Sequence, residues 1–157
     1  MALKIRVHER LNEAFNPKTV KIGDQVWMAE NLEIDDGGAG IFRQYAHLYF
    51  YNLDAADRIV KSINGWHLPD STEIKKLLEH VKSLKDQNGF NVVPHGFASF
   101  DPHRNRVVNW EEERDVAFLR GKPIDDDYAD SIVITKNSAE LDIVRDFTFY
   151  NIRLIKD

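Results

Sequence analysis

The chain has 157 residues, of which 43% are hydrophobic and 30% charged, and it contains no cysteine. This length is typical of one globular domain, and the composition is too apolar for a disordered chain. The net charge of −5 argues against a nucleic-acid partner, because such proteins cluster Lys and Arg to neutralise phosphates. No apolar run approaches the roughly 20 residues that span a bilayer, and the start of the chain lacks the hydrophobic core of a signal peptide.

The start of the chain predicts strands. Residues 3–7 alternate apolar and polar side chains, which is the period of a half-buried strand. Further on, the apolar residues of 20–28 are interrupted by Gly23 and Asp24. This pattern predicts a β-hairpin that turns at these two residues.

Two helices are predicted next. Residues 54–60 present apolar side chains on one side of a short helix. Asp70 and Glu73 have the spacing of a capping box, and apolar residues then recur at helical spacing until Asn88 and Gly89. We therefore expect the second helix to run from Asp70 to this Asn-Gly pair.

The second half of the chain predicts short strands separated by turns. The apolar runs lie at residues 96–100, 106–108, 131–134 and 147–154. In the last run the apolar residues change face between Tyr150 and Asn151, and a β-bulge there keeps them all inward.

Several segments resemble one known family. Residues 65–69 read Gly-Trp-His-Leu-Pro, and Trp27, Asn31 and Leu32 have the spacing W-x-x-x-N-L. Both segments resemble the Fibrobacter succinogenes major paralogous domain, which is related to C-type-lectin-like folds and distantly to the formylglycine-generating enzymes. The similarity continues in order through residues 45–49, 89–97 and 152–157, so it covers residues 18–157.

The resemblance implies an α+β, C-type-lectin-like fold. Two helices then pack on a small, twisted, mostly antiparallel sheet, with paired N- and C-terminal strands and a long loop region. Residues 1–17 precede the family-like domain of residues 18–157 and form an added strand or arm. Family cysteines fall near Ser62 and Leu154, and their absence here suits a reducing compartment.

The signature residues are interpreted as framework. Their aromatic rings offer stacking faces for a sugar, but buried tryptophans usually dominate the core of a domain of this size. The residues assigned to the framework are Trp27, Asn31, Tyr45, Tyr49, Gly65, Trp66, His67, Pro69, Gly89, Phe90 and Pro94.

Trp110 is the main candidate for ligand contact, because its neighbours are polar and include Asn109 and Glu111. The resemblance places this region on the loop surface, to which we add Asp127 and Tyr128. No E-P-N or Q-P-D segment accompanies it, so calcium-dependent sugar binding of the lectin type is not expected. The acidic residues 125–127 are read as a solvated loop, with a cation site as the alternative.

Enzyme mechanisms find little support. The related formylglycine-generating chemistry needs thiols, which this chain lacks, and no G-x-S-x-G or phosphate-binding glycine motif occurs. The six histidines lack metal-ligand spacing, so no metal or cofactor is expected. Paired acids, Glu111 with Glu113 or Asp125 with Asp127, leave a glycosidase as a lesser alternative.

The leading hypothesis is a non-catalytic recognition module that binds a protein or glycan through its loops. The alternative is a structural assembly protein, such as a phage virion component, that forms homo-oligomers through residues 1–17. The sequence as it stands predicts a cytoplasmic protein or a virion component, and a secreted or surface protein if a signal peptide has been removed.

Overall fold

The computed structural model describes residues 15–110 and 115–157. These residues form an α+β fold with two helices and several small antiparallel sheets, which confirms the predicted class at this level. The predicted strand at residues 3–7 lies outside the described residues. The elements in chain order are β1 (Thr19–Ile22), β2 (Gln25–Met28), β3 (Ile41–Gln44), β4 (Leu48–Tyr51), α1 (Leu53–Lys61), β5 (Trp66–His67), α2 (Ser71–Leu77), β6 (Ala98–Asp101), β7 (Arg106–Asn109), β8 (Ala117–Pro123), β9 (Tyr128–Ile134), β10 (Ala139–Arg145) and β11 (Ile155–Lys156).

The strands form four small sheets. The largest has the order β1-β2-β11-β5, so the last described strand pairs with the first hairpin. That hairpin turns at Gly23, which has a φ of +60°. A residue with a side chain adopts this conformation less readily. The predicted turn is confirmed. A three-stranded sheet has the order β10-β9-β8, and two hairpins, β3-β4 and β6-β7, complete the set.

Helix α1 is confirmed close to its predicted bounds. The side chain of Asn52 accepts a hydrogen bond from the Ala55 amide at 3.0 Å and caps the N-terminus. Arg58 forms a two-pronged ion pair with Asp36, with nitrogen–oxygen distances of 2.6 and 2.8 Å. This pair fixes the preceding loop against the helix, and the Arg58 hydrogen bond lowers the pKa of Asp36.

Helix α2 begins as predicted but ends much earlier. The capping box between Asp70 and Glu73 is present in both directions. The helix ends at Leu77, so the predicted continuation to Asn88 is wrong. The amide of Leu84 instead donates to Thr135 O at 2.8 Å, at the end of β9. This tertiary hydrogen bond replaces the helical one, while Val81 still packs in the core.

Residues 147–154 do not form the predicted continuous strand. Successive residues pair with different elements: Phe149 with β6, Tyr150 with β4 and Asn151 with β8. Phe147 is 58% exposed, so the expectation that all apolar residues of this run face inward is also wrong. The segment lies between several sheets and joins them.

The core has two main clusters, one around Trp27 and one around Tyr51, and a smaller third cluster. The guanidinium of Arg120 is also buried and donates to the carbonyl oxygens of Tyr51, Arg145 and Thr148. Burial lowers the pKa of Arg120 to about 10. In the described part of the chain, neither helix is long and apolar enough to cross a membrane.

Candidate ligand groove

The turn between β3 and β4 forms one wall of a groove. Gln44 pairs with Leu48, so residues 45–47 form a three-residue loop. Tyr45 has a φ of +58° and is 78% exposed. A bulky residue in the left-handed region carries strain of about 1–2 kcal/mol, and burial of the ring does not offset it here. The fold thus keeps the Tyr45 ring exposed to solvent although the backbone at this residue is strained.

Arg43 supports this turn from below. Its guanidinium donates to the carbonyl oxygen of Ala46 at 3.2 Å and lies 5.2 Å from the centre of the Tyr49 ring. Because Tyr49 is 9% exposed, the guanidinium rests on a fixed ring. The loop conformation is therefore set by groups that do not face the groove.

Pro94 and His95 form the opposite wall, and Asn109 holds it in place. The side-chain nitrogen of Asn109, at the end of β7, donates to His95 O at 3.0 Å and to Phe97 O at 2.9 Å. Both amide protons are used in this way. Asn109, predicted as a ligand-binding residue, thus lies at the groove, and its amide nitrogen fixes the wall.

The groove between these walls has a volume of about 450 Å³. This falls within the range of about 300–1,000 Å³ that is usual for small-ligand sites. The part of the chain that the structure describes contributes no Asp, Glu, Lys or Arg to its lining. It consists of Gln44, Tyr45, Ala46, His47, Leu48, Pro94, His95 and Asn109.

The first wall carries two polar side chains, Gln44 and His47, which differ in burial. The Oε1 atom of Gln44 is buried, and no described residue donates a hydrogen bond to it. An acceptor in this state carries a desolvation penalty of about 1–3 kcal/mol. His47 is largely exposed, and its Nδ1 atom lies 3.5 Å from the Glu33 carboxylate.

Trp110 is attached to the β6-β7 hairpin. Its indole nitrogen donates to the hydroxyl of Ser99 at 2.5 Å, and its amide donates to Phe97 O at 3.2 Å. The side chain is half-buried. The predicted partner Glu111, like Glu113, lies outside the described residues.

Asp127 and Tyr128 belong to a different turn, between β8 and β9. The carboxylate of Asp125 accepts hydrogen bonds from the amides of both residues, at 2.8 and 2.9 Å. The Tyr128 ring lies 5.6 Å from the guanidinium of Arg145. The contacts of Asp127 and Tyr128 thus lie at the three-stranded sheet, whereas Asn109 and Trp110 contact the β6-β7 hairpin and the segment 95–97 that precedes it.

The acidic loop at residues 125–127 is exposed, as the solvated-loop interpretation predicts. Within residues 15–110 and 115–157, no group of three or more His, Cys, Asp or Glu side chains is arranged to hold a metal ion. The carboxylate of Asp125 is already engaged with turn amides. The described residues therefore offer no ready cation site at this loop.

Most of the signature aromatic side chains are buried. Trp27 is fully buried, packs edge-on against Phe90 at 5.5 Å, and donates its indole hydrogen to Gln25 at 3.1 Å. Gln25 in turn donates to the carbonyl oxygen of Glu73 at 3.0 Å. This chain of hydrogen bonds ties β2 to the start of α2.

Asn31 and Phe90 are joined by a buried arginine. The Nε atom of Arg153 donates to Asn31 Oδ1 at 2.9 Å, and its other nitrogens donate to the carbonyl oxygens of Phe90 and Asn91. Burial lowers the pKa of Arg153 to about 10. Gly89, with a φ of +94°, allows the turn that brings these carbonyl groups to the guanidinium.

His67 links the Gly-Trp-His-Leu-Pro segment to two other parts of the fold. Its Nδ1 atom lies 2.6 Å from the carboxylate of Asp157, and its Nε2 atom lies 2.7 Å from that of Glu73. Burial opposes the charged imidazole, but the hydrogen bonds to Asp157 and Glu73 outweigh it and raise the pKa of His67. The residue is structural.

The rest of this segment supports the same junction. Pro69 is buried, and its carbonyl oxygen accepts a hydrogen bond from Lys122 at 2.8 Å, while Gly65 has a φ of +86°. Trp66 is half-buried and meets Phe15 edge-on at 6.1 Å. The side chain at residue 15 of the proposed arm therefore packs on its own domain.

Tyr45 is the exception among the framework residues. Its interpretation as a core aromatic is wrong, since the ring is exposed at the tip of a hairpin. The sequence carried a signal for this position: the apolar-rich runs 41–44 and 48–51 are separated by three residues, which is a common hairpin spacing. Residues at such tips are usually exposed.

The comparisons with known proteins add no relative to this picture. No family model, no curated protein and no solved structure matches the chain.

Proposed function

We propose that the protein is a non-catalytic recognition module with a C-type-lectin-like fold, and that its ligand binds in the groove between Tyr45 and Pro94. The observation that carries this proposal is the exposed Tyr45 ring on a strained backbone. Strain of this kind persists where the surrounding structure enforces it, and it is frequent at ligand sites. A rigid exposed aromatic is also the kind of residue that dominates binding energy at interfaces.

The chemistry of the groove favours binding over catalysis. Among the described lining residues, the acid–base groups are the imidazoles of His47 and His95 and the Tyr45 phenol, and the Glu33 carboxylate beside His47 lies outside the lining. Nucleophilic catalysis also needs an activated hydroxyl, thiol or carboxylate, and no such side chain belongs to this described lining apart from the phenol. The same residues offer no carboxylate to coordinate calcium, so we expect binding without calcium.

The test is a fragment and peptide screen by amide NMR on the wild-type protein, in EDTA and again in calcium. Ligands are expected to shift the amide resonances of residues 44–48 and of His95 equally in both buffers. Trp110→Ala distinguishes the groove from the predicted surface around Trp110, since it leaves groove binding unchanged. Hits that cluster at Trp110 or Tyr128, or shifts that require calcium, contradict the proposal.

Tyr45→Gly adds a stability measurement to this test. Glycine removes about 1–2 kcal/mol of left-handed strain and costs about 0.5–1 kcal/mol in backbone entropy. The variant is therefore expected to gain about 0.5–1 kcal/mol in unfolding free energy while it loses groove binding. The matched control is Asn105→Gly, at a φ of +52°, which gains less because asparagine tolerates this region. A destabilised Tyr45→Gly variant shows that the ring supports the fold.

A further inference from the structure

We infer that the ligand of this groove is a neutral sugar ring, which stacks on Tyr45 and donates a hydroxyl hydrogen bond to Gln44. This inference rests on the proposed function and narrows it to one ligand class. It follows from the charge of the lining, the unpaired acceptor, the single exposed ring and the size of the groove.

The described lining residues favour a neutral ligand. A phosphate or carboxylate needs a guanidinium, an ammonium or a row of backbone amides, and an ammonium ligand needs carboxylates or an aromatic cage. Within residues 15–110 and 115–157, neither set lines the groove. The nearby cation, Arg43, is engaged with Ala46 O and the Tyr49 ring, and Glu33 lies beside His47. A neutral ligand fits this environment.

The unpaired acceptor, Gln44 Oε1, is complementary to a ligand that donates hydrogen bonds. Gln44 Oε1 is covered and has no donor among the described residues. The terminal torsion of glutamine is broad, so the amide turns readily toward a partner in the groove. A sugar hydroxyl supplies the missing donor, and the satisfied amide no longer carries the penalty of an unpaired buried group.

The exposed Tyr45 ring is complementary to a ligand with a flat apolar side. The largely exposed Tyr45 lines the groove together with Pro94 and Leu48. A pyranose combines an apolar C–H face with hydroxyl donors on its rim, which matches one ring and one acceptor. A proline-rich peptide instead uses a ladder of several aromatics, and an extended peptide uses a long strand edge.

The size of the groove agrees with a compact ligand. Its volume of about 450 Å³ lies in the lower half of the usual range for small-ligand sites. One or two sugar rings occupy such a space, whereas a protein surface needs a larger, flatter patch. The ligand is therefore the end of a glycan or a free mono- or disaccharide.

The test is an amide NMR titration of the full chain in EDTA with glucose, galactose, mannose, N-acetylglucosamine, cellobiose, lactose and chitobiose. At least one sugar is expected to give saturable shifts of residues 44–48. Tyr45→Ala is expected to weaken binding at least tenfold, and Tyr45→Phe to retain it, because stacking needs the ring and not the hydroxyl. Gln44→Leu is expected to weaken binding as well.

Phe147→Ala is the matched control, because Phe147 is another exposed aromatic residue and lies outside the groove. This substitution is expected to leave sugar affinity unchanged. Thermal melts of each variant confirm that it is folded. If no sugar binds while peptides or fragments still shift the groove, the sugar inference fails and the recognition groove stands. If sugars and fragments all leave the groove unperturbed, both fail.

Discussion

The three tryptophans differ in burial, and this difference predicts an order of stability losses on truncation to alanine. Trp27 is fully buried, whereas Trp66 and Trp110 are half-buried. Removal of a fully buried tryptophan side chain costs about 3–5 kcal/mol, from lost apolar burial and from the cavity that remains. Trp27→Ala also breaks the hydrogen bond to Gln25 and the edge-on contact with Phe90, so we place it at the upper end of this range.

The other two substitutions are expected to cost less. Trp66→Ala removes about half as much buried apolar area, so the expected loss in unfolding free energy is roughly 1.5–2.5 kcal/mol. For Trp110, the loss of partial burial and of the hydrogen bond to the Ser99 hydroxyl gives about 1–2 kcal/mol. Both variants are therefore expected to fold under conditions in which Trp27→Ala is largely unfolded.

The assay is urea unfolding followed by circular dichroism, because tryptophan fluorescence changes with the substitution itself. Free energies are compared at a common m-value, and a variant with a changed m-value is excluded from the ranking. Trp27→Phe serves as the control that keeps an aromatic ring but removes the indole N–H. If Trp110→Ala is as costly as Trp27→Ala, the assignment of Trp110 to a half-exposed position is refuted.

Three further predictions concern polar side chains that link separate parts of the fold. Tyr51→Phe is expected to lose about 1–3 kcal/mol in urea unfolding, because the hydroxyl accepts from the Ile34 amide at 2.8 Å and that buried amide loses its partner. The His67 contribution, with its raised pKa, is fully present below about pH 6.5 and is lost as pH rises through the folded-state pKa. Stability should therefore fall with rising pH above that value, and an unchanged slope in His67→Gln contradicts this sign. Arg120→Met removes the guanidinium donor from three carbonyl oxygens, of which those of Tyr51 and Arg145 still accept backbone amides. A thermal melt should therefore show a loss of about 1–3 kcal/mol, reduced by the relief of guanidinium desolvation.

Local signals in the sequence predicted the elements whose boundaries are set locally. The turn at Gly23 and the capping box of Asp70 and Glu73 depend on a few neighbouring residues, and both are present. Beyond Leu77 the chain follows local turns and then bonds Leu84 to Thr135, which is distant in sequence, so the helical spacing there was misleading. Apolar spacing reports burial, and a non-helical segment that packs in the core gives the same pattern.

The groove was only partly accessible to sequence reasoning. Asn109 was singled out because of its polar surroundings, and it does lie at the groove. Tyr45 was assigned to the core because aromatic residues in signature segments are usually buried. Its exposure follows from the register of β3 with β4, which leaves the residue at a hairpin tip. A register of this kind is set by pairing and packing, which single residues do not reveal.

The segment 149–155 has a consequence for the time course of folding. Its residues pair with β6, β4, β8, β2 and β5, and β2, β4 and β5 lie far away along the chain. Contacts with such large sequence separation slow the search for the native state. During synthesis, none of these junctions closes until the segment has left the ribosome. Until then, the apolar faces of the earlier elements remain exposed to solvent. During this stage of synthesis the nascent chain is most prone to aggregate or to bind chaperones.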